Sequence, residues 1–317
     1  MKGLCVYTMA LRPKFHVSPR RSAALGAQHT VDTIVYGGVW QENLPRGGKS
    51  APLPSREVAP NLRGRALKKY AAAARERGID VWIWGYPWAG GEDRFVELMQ
   101  RCQEQSGASG WLLDPELGYK AGNHHAQDHG HEEDIRERAS YLLDKCAAAA
   151  PKLGLTSFGV TRFHKSLPWD IFLQDKRIAV HSPQLYNAAK GLMETGLEGW
   201  AEGALHHKPS VVPSIGTFGP MSGPRMVKYL KQYEGHDIDG IAAWSWEHTS
   251  KQEWKILRAW NTARKDLEAE TPPTLPPPLG LSLETETCRT APDPSTSTVN
   301  KSPSRKKRRR RSPKKAE

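Results

Sequence analysis

The apolar positions of the chain come in short clusters rather than in one sustained periodicity. Eight runs rich in aliphatic, β-branched and aromatic residues lie at 4–8, 33–40, 79–86, 110–116, 156–161, 178–181, 210–215 and 240–246. Runs of this length and composition predict strands. Between them apolar residues recur every three or four positions, over 64–77, 93–105, 132–150, 188–201, 224–233 and 252–267, which predicts helices. Strands that alternate with helices imply parallel crossovers. Eight such units in about 260 residues match the size of a closed (β/α)8 barrel, the α/β architecture expected here. An open doubly wound sheet fits less well, because Leu11-Arg12-Pro13-Lys14 stands where a glycine-rich phosphate loop would follow the first strand.

The pattern stops after Glu270. Thr271-Pro272-Pro273-Thr274-Leu275-Pro276-Pro277-Pro278 leads into a Ser/Thr/Pro stretch and then a Lys/Arg run. Such a composition cannot bury enough apolar surface to offset chain entropy. The expected organisation is therefore a barrel domain over 1–268 and a disordered linker with a basic tail over 269–317. Charge follows the same division: the chain carries +12, and residues 301–317 hold ten Lys and Arg against one acid. The barrel itself is close to neutral. Arg305, Lys306, Lys307, Arg308, Arg309, Arg310 and Arg311 would hold any polyanion by counterion release, whether nucleic acid or an anionic envelope polymer. Ser312-Pro313-Lys314-Lys315 looks like the units of histone tails, and the whole run is similar to a nuclear-localisation signal.

Cys5, Cys102, Cys146 and Cys288 show no paired spacing and read as reduced buried thiols. The first apolar run contains Tyr7 and Thr8 and meets Arg12-Pro13 at once, so it reads as a strand rather than a secretory signal. No apolar run reaches membrane-spanning length. The expected location is the cytoplasm in which the chain is made, with release by lysis as the route outward, or the nucleus in a eukaryotic host.

Chemistry concentrates after the fourth run. Trp111-Leu112-Leu113-Asp114-Pro115-Glu116 carries two carboxylates at i and i+2, which leave one face of a strand together. Repulsion in a partly dry cleft raises one pKa, so that one group donates a proton while the other stays anionic, the division of labour that glycosidic cleavage needs. The plainer alternative is an Asp-Pro that merely starts a turn. Trp40, Trp84, Tyr86, Trp88, Tyr119, Tyr186, Trp244 and Trp246 fall at or just past strand ends, where barrel enzymes keep their sites. Aromatic rings there suit the C–H faces of sugars, although Trp around a barrel is often simply core. A second cluster at 123–134 holds His124, His125, His129 and His131 among acids. Gly130 interrupts any helical ligand spacing, so the segment reads as a solvated loop that caps the next helix, with no metal and no cofactor expected.

Three motifs together resemble the chitinase and Chalaropsis-type lysozyme barrels: Asp114-Pro115-Glu116 on the fourth strand, Ser182-Pro183-Gln184-Leu185-Tyr186-Asn187 on the sixth, and Gly240-Ile241-Ala242-Ala243-Trp244-Ser245-Trp246 on the eighth. The resemblance covers 1–265 in layout and these motifs in residue identity. It implies Glu116 as general acid and Asp114 as the partner that orients a substrate acetamido group or stabilises charge at the anomeric carbon. It further implies that Gln184 and Tyr186 hold that acetamido group, while Trp244 or Trp246 floors the reacting sugar. Departures are present: Ser109 and Leu112 stand where the chitinase pattern has acids, and 4–9 contains no Asp. The expected function is cleavage of an N-acetylated polysaccharide of peptidoglycan or chitin type. The alternatives are a catalytically silent glycan-binding barrel and a nucleic-acid-associated protein anchored through its tail.

Overall fold

Parallel strands that are buried on both faces must be covered by helices outside and by one another inside, and a closed barrel does both. The computed structural model describes residues 1–8, 18–42, 56–58, 66–121, 132–186, 190–217 and 223–270. The strands are β1 (Gly3–Thr8), β2 (Thr33–Glu42), β3 (Arg56–Val58), β4 (Asp80–Gly85), β5 (Gly110–Leu113), β6 (Leu153–Phe158), β7 (Ile178–Gln184), β8 (Ser210–Val211), β9 (Ser214–Gly216) and β10 (Gly240–Trp244). Their order is β1-β10-β9-β7-β6-β5-β4-β2, all parallel, and the β1–β2 pairing closes the ring. The chain is an eight-position parallel β/α barrel.

Two positions differ in detail from the apolar pattern. The seventh is shared by β8 and β9, because Pro213 has no N–H to continue the ladder. Val212 N still donates to His181 O at 2.8 Å, and Pro213 O accepts from Ala242 N at 2.9 Å. The second strand overruns the barrel rim, and β3 pairs antiparallel with its end, Trp40 opposite Val58. Residues 41–42 and 56–58, beyond the apolar run at 33–40, are therefore sheet.

The helices are α1 (Pro19–Gln28), α2 (Ala66–Arg75), α3 (Glu92–Ser106), α4 (Glu132–Ala149), α5 (Trp169–Gln174), α6 (Lys190–Gly203), α7 (Gly223–Lys231) and α8 (Lys251–Glu270). The apolar periodicity did not indicate α1. Its buried face is Ser22, Ala23 and Gly26, too small to register as apolar, and its start is marked instead by Ser18, whose side chain accepts from Arg21 N at 3.4 Å, with Pro19 at the first helical position.

Inside the ring Cys5, Tyr7, Val35, Trp82, Trp84, Leu112, Val180, Val212 and Ala242 pack as one cluster. The alternate residues of the same strands, such as Leu4, Ile34, Ile83 and Trp111, belong to the larger core beneath the helices. Trp82 is the largest of these inner side chains together with Trp84 and is 1% exposed. Two glycines make room for it, since a Cβ on Gly110 would lie 2.7 Å from its ring and one on Gly154 3.3 Å away. Its indole N–H is satisfied by Asp80 Oδ2 at 2.9 Å. Cys5, Cys102 and Cys146 are free and buried. Residues Met1–Pro272 form one compact unit. The linker and tail, Cys288, the Arg305 to Arg311 run and the histidines at 124–131 lie outside the described residues. Among the described residues no helix is long and apolar enough to cross a membrane, and no three His, Cys, Asp or Glu side chains cluster to hold a metal ion.

Candidate active site

Because all eight positions run parallel, their C-terminal ends open at one mouth, and Asp114-Pro115-Glu116 emerges there directly from β5. The turn is fixed by its own backbone. Asp114 N donates to Gly85 O at 2.9 Å, Glu116 N to Asp114 O at 3.0 Å, and Ser157 Oγ donates to Pro115 O at 3.2 Å. Two other strands hold the Asp114 carboxylate on both oxygens: from β4 Trp84 Nε1 donates to Oδ2 at 3.2 Å, and from β7 Gln184 Nε2 donates to Oδ1 at 3.0 Å. Asp114 is 4% exposed, whereas Glu116 is only partly buried.

Both acids hold their protons more tightly than free carboxyls. Burial is the first cause for Asp114, followed by the charge of Glu116, against which the Trp84 and Gln184 hydrogen bonds work. For Glu116 burial again leads, and hydrogen bonds with Gln184 and Asp114 oppose it. This corrects the sequence expectation of mutual repulsion as the main cause. Desolvation dominates, and the hydrogen bond with Asp114 pulls Glu116 down rather than up.

Trp244 lies at the end of β10 among other aromatic rings. Its ring meets Tyr7 at 4.9 Å between centroids, Trp84 at 5.6 Å and Tyr186 at 6.4 Å. Its peptide bond to Ser245 is cis. Tyr186 is raised well above the usual phenol range, by burial first and then by the charges of Tyr7, Asp114 and Glu116 around it. Tyr86 is raised by burial and by the same two acids, and its hydroxyl accepts from Leu117 N at 3.0 Å, bracing the turn that follows Glu116. Asp114, Glu116, Gln184, Trp84, Tyr86, Tyr186 and Trp244 are thus brought together.

Others of the expected residues lie elsewhere. Trp246 is not in the cleft but packs on Trp254 at 5.0 Å, in the layer between barrel and helices, because the chain turns out of β10 after Trp244. Tyr119 is fully buried, donates to Glu92 at 3.0 Å and meets Phe172 edge-on, so it is core rather than a sugar contact. Trp88 is also core, edge-on to Phe95. Trp40 lies in β2, and its side chain falls outside the described residues.

The sequence reading missed the hydroxyl cluster beneath the acids. Tyr7 Oη lies 3.1 Å from Ser214 Oγ and 3.4 Å from Ser182 Oγ, which are themselves 2.9 Å apart. Burial, opposed by these contacts, pushes the Tyr7 phenol up to about 12. Phe158, at the rim end of β6 and opposite Gln184, stacks flat on His164 at 3.6 Å. Strands apolar on both faces show no alternation from which an inward Tyr7 or Phe158 could be read.

No family model matches the chain, and no curated protein matches it in sequence. Solved structures match its fold. It is similar to a chitinase-like agglutinin from Robinia pseudoacacia, with a TM-score of 0.55 and 9% identity over 82% of this chain and 98% of that one. It is also similar to a class V chitinase mutant from Nicotiana tobaccum in complex with NAG4, with a TM-score of 0.54 and 9% identity over 82% and 99%. The spore cortex-lytic enzyme SleL of Bacillus megaterium QM B1551 matches with a TM-score of 0.52 and 9% identity over 81% and 73%. At such identities the likeness is one of fold.

Proposed function

We propose that the barrel is a glycoside hydrolase that cleaves an N-acetylated polysaccharide of chitin or peptidoglycan type. The observation that carries this reading is the buried, doubly hydrogen-bonded Asp114 beside a more accessible Glu116, with Trp84, which donates to Asp114, edge-on to Trp244. Glu116 keeps its proton above the ordinary carboxyl range and donates it to the leaving glycosidic oxygen. Asp114, held in place by Trp84 and Gln184, orients the substrate's acetamido group or stabilises positive charge at the anomeric carbon. Tyr186 and Gln184 offer the donors that an acetamido carbonyl requires. The fold shared with a chitinase and a cortex-lytic enzyme supports the same substrate class.

A second reading, a glycan-binding barrel without catalysis, is favoured by the likeness to a chitinase-like agglutinin and by Leu112, buried inside the barrel where the chitinase pattern has an acid. Incubating the purified protein with chitin oligomers and with cell walls separates the two. New reducing ends support the hydrolase, saturable binding without them supports the silent barrel, and neither outcome on any such glycan contradicts both.

The basic run Arg305 to Arg311 serves, in this proposal, to hold the chain on polyanions. Deleting 301–317 is expected to lower heparin retention and flatten its salt dependence while hydrolysis of short oligomers is unchanged. Equal retention after deletion contradicts that role.

A further inference from the structure

The near neutrality of the barrel is an average over two unlike halves. Helices α7, α8, α1 and α2 follow one another round the closed ring and carry 13 Lys and Arg against 4 Asp and Glu. Helices α3 to α6 carry 6 against 13. The four basic helices form one continuous face. Helix α7 packs on α8 and α1 on α2, and the end of α1 meets α8, where His29 stacks on Trp254 at 4.6 Å and Asn261 Nδ2 donates to Thr30 O at 2.7 Å.

Pairing divides the halves as sharply as composition does. On α3 and α4 every Arg and Lys is joined to an acid, Arg136 to Asp170 at 2.6 Å and Lys145 to Asp93 at 3.1 Å among them, so charge there is answered in place. On the basic face Arg20, Arg21, Lys68, Lys69, Lys255 and Arg258 are exposed and join no acid among the described residues. The ion pairs of α8 lie in its last turns, Arg264 with Glu268 and Lys265 with Asp32. Like charges gathered on one face repel one another, and a bound polyanion relieves that repulsion.

The face also selects among polyanions. Helix α8 is 20 residues long, about 30 Å, so the array spans a stretch of polymer rather than one small anion. Its exposed large apolar side chains among the described residues are Val227 and Leu267, and no aromatic ring is exposed on it. Single strands are held by stacking their bases on such rings. A duplex keeps its bases inside and presents phosphates, one charge per about 1.7 Å of axis. We infer that the face formed by α7, α8, α1 and α2 binds duplex DNA through its phosphates, without reading base sequence. This is a property of the barrel itself, independent of the basic run at 305–311 and of glycan cleavage.

The test is a salt titration of binding to a short mixed-sequence DNA duplex. The full chain is compared with the chain lacking 301–317 and with the quadruple variant Arg20→Gln, Arg21→Gln, Lys68→Gln, Lys69→Gln. The quadruple variant is expected to bind about tenfold or more weakly at about 50 mM salt and to flatten the salt slope by about 2 to 4, close to one for each lost phosphate contact. Arg94→Gln with Arg101→Gln, which removes cations already paired on α3, should change neither. Removal of 301–317 should weaken binding yet leave a salt-dependent remainder, and that remainder decides if the quadruple variant does not fold. An unchanged slope in the folded quadruple variant, no duplex binding without 301–317, or equal affinity for single-stranded DNA, heparin or poly-glutamate of the same charge would each overturn the proposal.

Discussion

At the scale of single residues, Asp114 has the most to say about pH. Its carboxyl is raised on folding, chiefly by burial, so the native state holds that proton more tightly than the unfolded chain does. The associated stability is complete below the unfolded value of about 3.9 and is lost as pH rises through the raised native value. Asp114→Asn removes the titration. The melting temperature of the variant relative to wild type should therefore become more favourable as pH rises from about 4 through the raised native value. A difference that is flat or reversed would contradict the direction of the shift. The same variant should hydrolyse glycans more slowly, since Asn cannot ionise to stabilise developing positive charge, a loss of activity accompanied by a gain in stability of the kind seen at strained sites. The two acids themselves were legible, because Asp-Pro-Glu after an apolar run is a local pattern. Their governing physics was not, since desolvation depends on Trp84 and Gln184, which come from other strands.

At the scale of elements, the strand runs were legible and their inward faces were not. The outer and inner faces of β1, β4 and β10 are both apolar, so alternation carries no polarity contrast, and Trp244 and Trp246, two positions apart, share one strand parity that cannot separate them. The structure chooses by length: β10 ends at Trp244, and Trp246 falls in the 3-10 turn beyond it. The two residues then give opposite expectations. Trp244→Ala should raise KM on oligosaccharides by on the order of tenfold through lost stacking surface, with a near-normal melting temperature. Trp246→Ala should leave KM unchanged and cost about 1–3 kcal/mol of stability through the lost contact with Trp254. Kinetics and chemical denaturation on both proteins check this, and the reverse pattern would move the floor of the cleft. Helix α1 escaped notice for a related reason, its buried face being Ser, Ala and Gly, although Ser18-Pro19 marked its start.

At the scale of the molecule, the alternation of eight strand runs with helical runs was enough for the barrel, because closure follows from parallel strands that need cover on both sides. What the sequence could not show was how the interior is filled. One indole, Trp82, lies buried inside the ring, admitted by Gly110 and Gly154 on adjacent strands, a three-body fit among residues up to 72 positions apart. Trp82→Ala should leave a cavity inside the ring and cost about 3–5 kcal/mol, read as a lowered denaturation midpoint with an unchanged slope. A loss under about 1 kcal/mol would mean that the barrel collapses around the gap. The same interior supports the acids, since Trp84 lies two residues on along β4 and touches both Asp114 and Trp244. In the proposed function this frame aims Glu116 at a glycosidic oxygen. The most direct measurement compares release of reducing ends from N-acetylated glycan by wild type and by Glu116→Gln, each with its thermal melt and its affinity for the same glycan. The expected result is cleavage by wild type, a fall of on the order of 10²-fold or more in Glu116→Gln, and glycan affinity and folding retained. Cleavage at the wild-type rate by a folded Glu116→Gln protein would contradict it.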